Sequence, residues 1–160
     1  MVSFRILRLW TKPMTIRILL FSLLLLVGQA VNAYEPSKIY GPYYAEVVRT
    51  IDGDTIVVRA RIFPHFEANL SVRIAGIDTP EIRGKCEEEK QLAQDAKAWV
   101  ENRFPPGTWV LLENVEDDKY SGRVVADVYL SPDMSLGQML LDDGQAVEYY
   151  GTGPKKNWCE

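Results

Sequence analysis

Ala45-Glu46-Val47-Val48-Arg49-Thr50-Ile51-Asp52-Gly53-Asp54-Thr55-Ile56-Val57-Val58-Arg59-Ala60-Arg61-Ile62 reads as two strands folded back on each other. Valine, isoleucine and threonine are stiff at χ1 and suit a pleated surface, and Asp-Gly between two such runs is a strong hairpin signal. The expected strands are 45–51 and 55–62. The next segment, 63–69, holds Pro64 and the single histidine, His65, and reads as a loop. A third β-branched strand is expected over 70–77, so the first three strands are consecutive and antiparallel.

The period then changes. Residues 87–104 place Leu92, Ala96, Trp99 and Val100 on one helical stripe, and Glu87, Glu88 and Glu89 fall in the first turn, where the helix dipole favours acids. Pro105-Pro106-Gly107 stops this helix. Residues 108–115 and 123–130 read as a fourth and fifth strand around a turn at 117–122. A short helix over 135–143 ends at Gly144. Five short strands with a helix after the third, and a short second helix, are the order of an α+β OB-fold, a small Greek-key β-barrel.

At the start of the chain, Arg5, Arg8, Lys12 and Arg17 precede an apolar run over 18–27 that contains no acid. Val31-Asn32-Ala33 offers the small residues of a cleavage site, so residues 1–33 are expected to be a signal peptide, cut before Tyr34. The competing reading is an uncleaved anchor, although the run spans about ten residues where a membrane helix needs roughly 20. Met14 is an alternative start to Met1. Residues 34–42 form a Pro- and Gly-containing lead-in, and 43–160 the domain, a size that suits a single core. The expected localisation is therefore secreted or periplasmic, with no stable membrane association after cleavage, and the domain is expected to be a monomer.

Losing 1–33 takes away four of the 18 basic residues and none of the 22 acidic ones, so the net charge falls from −4 to about −8. This balance argues against a broad basic tract of the kind that grips duplex nucleic acid, so that affinity for a polyanion is expected to come from a few placed cations and a metal. Both cysteines, Cys86 and Cys159, lie in the exported part. In an oxidising compartment a bridge between them is the simplest arrangement, with two free thiols as the alternative.

Three segments carry chemistry. The first is Asp52-Gly53-Asp54-Thr55, the second Arg73 followed by Asp78-Thr79-Pro80-Glu81, and the third Asp118-Lys119-Tyr120-Ser121-Gly122-Arg123. In this order and spacing they resemble the staphylococcal nuclease (thermonuclease) family, over about residues 43–150. The resemblance implies the OB-fold barrel. It departs at the end, because that family usually carries a third helix after the tyrosine segment and this chain stops at Glu160.

Asp54 and Asp78 are hard oxygen donors of the kind that suits Ca²⁺. The resemblance assigns these two side chains and the Thr79 carbonyl to one calcium ion, and Glu81 to general-base or water-orienting work. Arg73 and Arg123 supply guanidinium forks that match phosphate oxygens, and the resemblance makes both phosphate ligands. Ser121, inserted between Tyr120 and Gly122 relative to the family's turn, puts the placement of Arg123 in question, and a strand arginine also has Asp127 within reach as a plain ion-pair partner. Tyr120, Tyr149 and Tyr150 are candidates for stacking on bases, with a place in the barrel core as the alternative. The resemblance favours Tyr150 as the nucleotide stacker and Lys119 as a neighbouring cation, so that Lys119, Tyr120 and Tyr150 are the expected substrate-binding residues.

The inventory excludes other chemistries. One histidine rules out a two-histidine acid–base pair or a histidine-rich zinc site, and Gly151-Thr152-Gly153-Pro154-Lys155-Lys156 has the wrong order for a phosphate loop. The expectation is an exported, calcium-dependent hydrolase of DNA and RNA with little sequence preference, leaving 3′-phosphate ends. Its rivals are a non-catalytic exported OB-fold binding module and a membrane-tethered interaction module.

Overall fold

The computed structural model describes residues 39–159, so the expected signal peptide, its cleavage point and the start of the lead-in lie outside the described residues. The elements run β1 (Tyr43–Asp52), β2 (Thr55–Phe63), β3 (Phe66–Ile74), β4 (Ile77–Asp78), α1 (Glu87–Arg103), β5 (Trp109–Asp117), β6 (Arg123–Ser131), β7 (Met134–Ser135), α2 (Leu136–Asp142) and β8 (Val147–Glu148). β1, β2 and β3 form an antiparallel meander, β5 pairs antiparallel with β1 and with β6, and a parallel β3–β6 pairing closes the ring. The result is a closed, mixed five-stranded barrel with two helices, the OB-fold architecture.

The alternation in the strands becomes inside and outside. Val47, Ile56, Val58, Val72, Ile74, Val110, Leu112 and Val128 are fully buried and fill the barrel, and Val100 and Phe104 of the α1 end, with Leu136 and Leu140 of α2, cap it. Burying each large aliphatic or aromatic side chain contributes roughly 1.5–3 kcal/mol. α2 begins at an N-cap, Ser135, whose hydroxyl accepts from the Gln138 amide, and Gly144 follows its end at a φ of +68°, a backbone state that glycine adopts without strain.

Three expectations are corrected. The segment 63–69 is a tight turn: β2 runs on to Phe63, β3 restarts at Phe66, and only Pro64 and His65 lie between. Cross-strand pairing outweighs its loop-like composition, since Arg59 and Arg61 both bridge to Glu67 across the ladder. The third strand does not continue to 77. It stops at Ile74, Gly76 turns the chain at a φ of +73°, and β4 leaves the barrel to pair with β8. On α1, Leu92 is 39% exposed and Glu89 is buried in the inward row with Ala93, Ala96 and Val100.

After β8, residues 149–159 form no helix and run as an irregular strap, bent at 151–153, that ends in a disulfide between Cys159 and Cys86. Cys86 is also the N-cap of α1, its sulphur accepting from the Glu89 amide.

Candidate active site

Three strand ends meet on one side of the barrel. Thr55 at the start of β2 pairs with Arg73 near the end of β3, which sets Asp54 beside the arginine. Ser71 pairs with Arg123 across the parallel β3–β6 seam, and Arg73 is two residues on from Ser71. Because side chains alternate with a period of two, Arg73 and Arg123 fall on the same face of the sheet. Both line a cleft of about 720 Å³, together with Asp52, Glu81, Lys119, Tyr120 and Tyr150. The inserted Ser121 therefore leaves Arg123 on the cleft wall.

Asp54 and Asp78 are 3% and 1% exposed, and Thr79 is 2% exposed. Arg73 ties the carboxylates together: Nη1 donates to Asp54 Oδ2 at 2.6 Å, while Nη2 donates to the Ile77 carbonyl at 3.2 Å and lies 3.5 Å from Asp78 Oδ1. Asp54 Oδ1 accepts from the Thr55 hydroxyl at 2.9 Å, and the Asp54 carbonyl accepts from the Ile74 amide at 2.8 Å. Gly53 makes this closeness possible. A Cβ there would stand 2.9 Å from both Thr79 Oγ1 and Ala96 Cβ, so any side chain would push the metal-ligand candidates apart.

Burial pushes the Asp54 carboxyl up to about 6, overcoming the pull of Arg73 in the other direction. Burial also works against the Arg73 charge, but the Asp54 and Asp78 carboxylates outweigh it and hold the guanidinium above its ordinary range. A buried carboxyl that resists ionisation is one that a further cation stabilises.

Glu81 lies on the loop between β4 and α1, and Glu89 braces that loop. Glu89 Oε2 accepts from the Lys85 amide at 2.8 Å, and Oε1 lies 3.5 Å from the Glu81 amide. Gly84 passes so close over this carboxyl that an added Cβ would stand 2.5 Å from it. Cys86, Glu89 and Cys159 form a cluster of ligand types, but the bridge takes both sulphurs.

On the opposite wall Arg123 pairs with Asp118 through Nε rather than with Asp127, which accepts from Asn114 instead. That partner holds the Asp118 carboxyl below its ordinary value in spite of burial. The Arg123 guanidinium lies 4.8 Å from the centre of the Tyr120 ring, and Lys119 Nζ lies 5.2 Å from it. Tyr120 and Tyr150 are 57% and 74% exposed, with Tyr150 lying against Gly76. Neither ring is in the core.

One residue reaches the site from outside the three motifs. Lys155 Nζ sits 2.7 Å from Asp78 Oδ1 and 2.8 Å from Glu81 Oε1. Burial alone lowers the affinity of this amine for its proton, but the bonds to Asp78 and Glu81 prevail and push it up to about 12.

The family of staphylococcal nuclease homologues matches residues 71–158, more than half of the chain. The chain belongs to that family. The matched span carries Arg73, Asp78, Thr79, Glu81, Arg123 and Tyr150 and leaves Asp54 outside it. A comparison with curated proteins gave no match.

The residues present fit a hard divalent cation. Asp54 and Asp78 offer buried anionic oxygens, the Asp54 carboxyl is destabilised in its charged form, and a lysine ammonium already bonds to Asp78 as a cation would. Nothing in the three motifs marks Lys155, one of two lysines in a Gly- and Pro-containing tail, or Glu89, one of three consecutive glutamates. The signal for Glu89 was present: an acid at the third helical position after the Cys86 cap is the place from which a side chain reaches back to the preceding loop.

Proposed function

We propose that the chain is an exported, calcium-dependent phosphodiesterase that cleaves DNA and RNA with little sequence preference. The observation that carries this reading is the convergence of Glu81, Arg73 and Arg123 on one cleft of a nuclease-family barrel, with the buried carboxylates of Asp54 and Asp78 held directly behind it by Arg73.

In this reading Asp54, Asp78 and the Thr79 carbonyl hold one Ca²⁺ ion. When bound, the ion supplies a fixed positive charge beside the reacting phosphate. Arg73 and Arg123 donate N–H bonds to the phosphate oxygens as negative charge builds on them. A guanidinium carries five donors, and the protein contacts of Arg73 do not exhaust them. Glu81 takes a proton from the attacking water and directs it at phosphorus. The bond from phosphorus to the 5′ oxygen breaks and that oxygen takes a proton from solvent water in the open cleft, leaving a 3′-phosphate and a 5′-hydroxyl. Tyr120 and Tyr150, exposed on the cleft rim, offer stacking faces that every base shares, which accounts for weak sequence preference. With so few cations on an acidic chain, single strands are the better substrate, because their bases reach those rings.

The Lys155–Glu81 pair favours a second reading, a nucleic-acid-binding module without hydrolysis, since it engages the carboxylate that the reaction requires. Digestion of single- and double-stranded DNA and of RNA, with Ca²⁺ and with chelator, decides between them. Calcium-dependent cleavage to 3′-phosphate ends supports the phosphodiesterase. Binding with no cleavage under any condition supports the module.

A further inference from the structure

The strap over 149–159 is fastened at both ends to the segment that bears the acidic side chains. At one end β8 pairs with β4, with Asp78 opposite Val147, and the Tyr149 amide donates to the Gly76 carbonyl at 2.9 Å. At the other end Cys159 is bonded to Cys86, at the close of the loop that carries Glu81. Lys155 lies midway along this closed loop with its ammonium bridging Asp78 and Glu81. The ammonium also lies 5.9 Å from the centre of the Tyr149 ring. Trp158, half-buried next to the bridge, packs against the neighbouring lysine, with Lys156 Nζ 4.1 Å from its ring centre. The two lysines are thus divided, one turned to the carboxylates and one to the tryptophan.

A tethered charge acts at a local concentration far above that of a free ion, and a tether held at both ends confines it further. An ammonium within hydrogen-bond distance of Asp78 Oδ1 competes for the oxygen a divalent ion needs, and two cations a few ångströms apart repel strongly near a buried site.

We propose that Lys155 is a built-in competitor of the divalent ion, a cation the strap holds on Asp78 and Glu81 that has to leave before the metal binds there. Calcium binding is then an exchange of one cation for another, and the Cys86–Cys159 bridge sets how strongly the lysine competes. The displaced ammonium remains on the strap above the cleft, and its departure frees Glu81 to act on water. The inference rests on the metal site proposed above and adds that the site's affinity is governed by a residue distant from it in sequence.

The test is calorimetric titration of Ca²⁺ alone, without substrate, into the processed protein, its Lys155→Gln and Lys156→Gln variants, and each of these after reduction of the bridge with dithiothreitol. Circular dichroism confirms that each sample is folded. Lys155→Gln is expected to bind Ca²⁺ about tenfold or more tightly than wild type, since one like charge is gone from the site. Lys156→Gln removes the same charge one residue away and is expected to shift affinity by less than about twofold, since its ammonium faces the Trp158 ring and makes no ion pair with Asp78 or Glu81. Reduction is expected to tighten binding in wild type and to leave Lys155→Gln nearly unchanged. Equal affinity in wild type and Lys155→Gln, equal shifts in the two lysine variants, or weaker binding in Lys155→Gln overturns the proposal while the metal site stands. Absence of calcium heat in all of them overturns the metal site, and the proposal falls with it.

Discussion

The two walls of the cleft are built on different principles. The wall that Arg73 lines is backed by the buried Asp54, Asp78 and Thr79, stands on the barrel ends of β2 and β3 and on β4, and has Asp54 and Asp78 tied together by a single guanidinium. The wall of Lys119, Tyr120, Arg123 and Tyr150 is largely exposed and rests on a turn and on the start of the strap. The first has the rigidity that positioned charge requires, because moving any one side chain breaks a bonded network. The second has the latitude that tolerant binding of flexible strands requires. The strap that begins beside Tyr150 returns to the first wall, where Lys155 pairs with Asp78 and Glu81 and Cys159 is bonded to Cys86.

The comparison breaks most sharply at Glu81. Glu81→Gln keeps the size of the side chain and its place on the loop but removes the base, so turnover is expected to fall by about 10²- to 10⁴-fold with KM and melting temperature little changed. Tyr150→Ala on the open wall is expected to do the reverse, raising KM with kcat largely kept, since stacking contributes about 1–3 kcal/mol per base. Initial rates over a range of oligonucleotide concentrations separate the two. Equal losses of kcat in both variants would mean that the walls do not divide the work.

The disulfide is the next largest lever. Opening a bridge that closes a loop with a sequence separation of 73 residues is expected to destabilise the fold by up to about 4 kcal/mol on the chain-entropy account. Reduction should also expose the strap to proteases at Lys155 and Lys156 before the barrel is cut, which limited trypsin digestion followed by mass spectrometry reads directly. The barrel strands keep their pairing, because β8, which leads into the strap, pairs with β4 and with no strand of the barrel. Simultaneous digestion of strap and barrel would show that the bridge holds the whole fold rather than the open wall.

The rigid wall was largely legible in the sequence and the strap was not, for a physical reason. Asp52-Gly53-Asp54 and Asp78-Thr79-Pro80-Glu81 are local: a hairpin turn and a strand end put their side chains in place within a few residues, and the period-two pattern of β1 to β3 aligns them. The barrel order followed from the same alternation. Lys155 acquires its place through a covalent link to a cysteine far back in the chain and through pairing of two-residue strands, neither of which has a period to detect. The sequence places Glu89 only among the first-turn acids that the helix dipole favours. Its burial depends on Gly84 leaving room for its carboxyl, which is a property of the folded loop. The turn at Pro64-His65 was hidden by composition, since ion pairs across the ladder carried the strands further than their polarity suggested.

That loop supplies a smaller test of how far the rigid wall extends. Gly84→Ala places a methyl group 2.5 Å from the Glu89 carboxyl, and the crowding is expected to cost about 1–3 kcal/mol of stability. Because the loop carries Glu81, kcat should fall several-fold as well. Glu89→Ala combined with Gly84→Ala should recover part of the lost stability, since the clash is gone, without recovering kcat, since the brace on the Lys85 and Glu81 amides is gone too. Denaturant unfolding together with kcat on the same samples resolves the two effects. Full recovery of kcat in the double variant would mean that Glu89 fills space and positions nothing.

The smallest expected effect is a pH dependence at Asp54. With chelator present, the native carboxyl titrates near 6, whereas an unfolded chain titrates at its ordinary 3.8. Between these values the native state binds more protons than the unfolded one, so this group's contribution to stability rises as pH falls and is lost as pH rises through about 6. Wild type should therefore gain on Asp54→Asn, which does not titrate, by roughly 1 kcal/mol between pH 7 and pH 5, since one pKa unit corresponds to about 1.4 kcal/mol. Urea unfolding of the two proteins at pH 7, 6 and 5 measures the gap. Calcium should abolish the trend, because a bound cation keeps the carboxylate charged throughout, and calcium affinity should weaken over the same window as protons compete for the oxygen. A gap that stays constant with pH in chelator would mean that Arg73, 2.6 Å away, outweighs burial and keeps Asp54 ionised, so that the arginine rather than the metal completes the charge balance of the rigid wall.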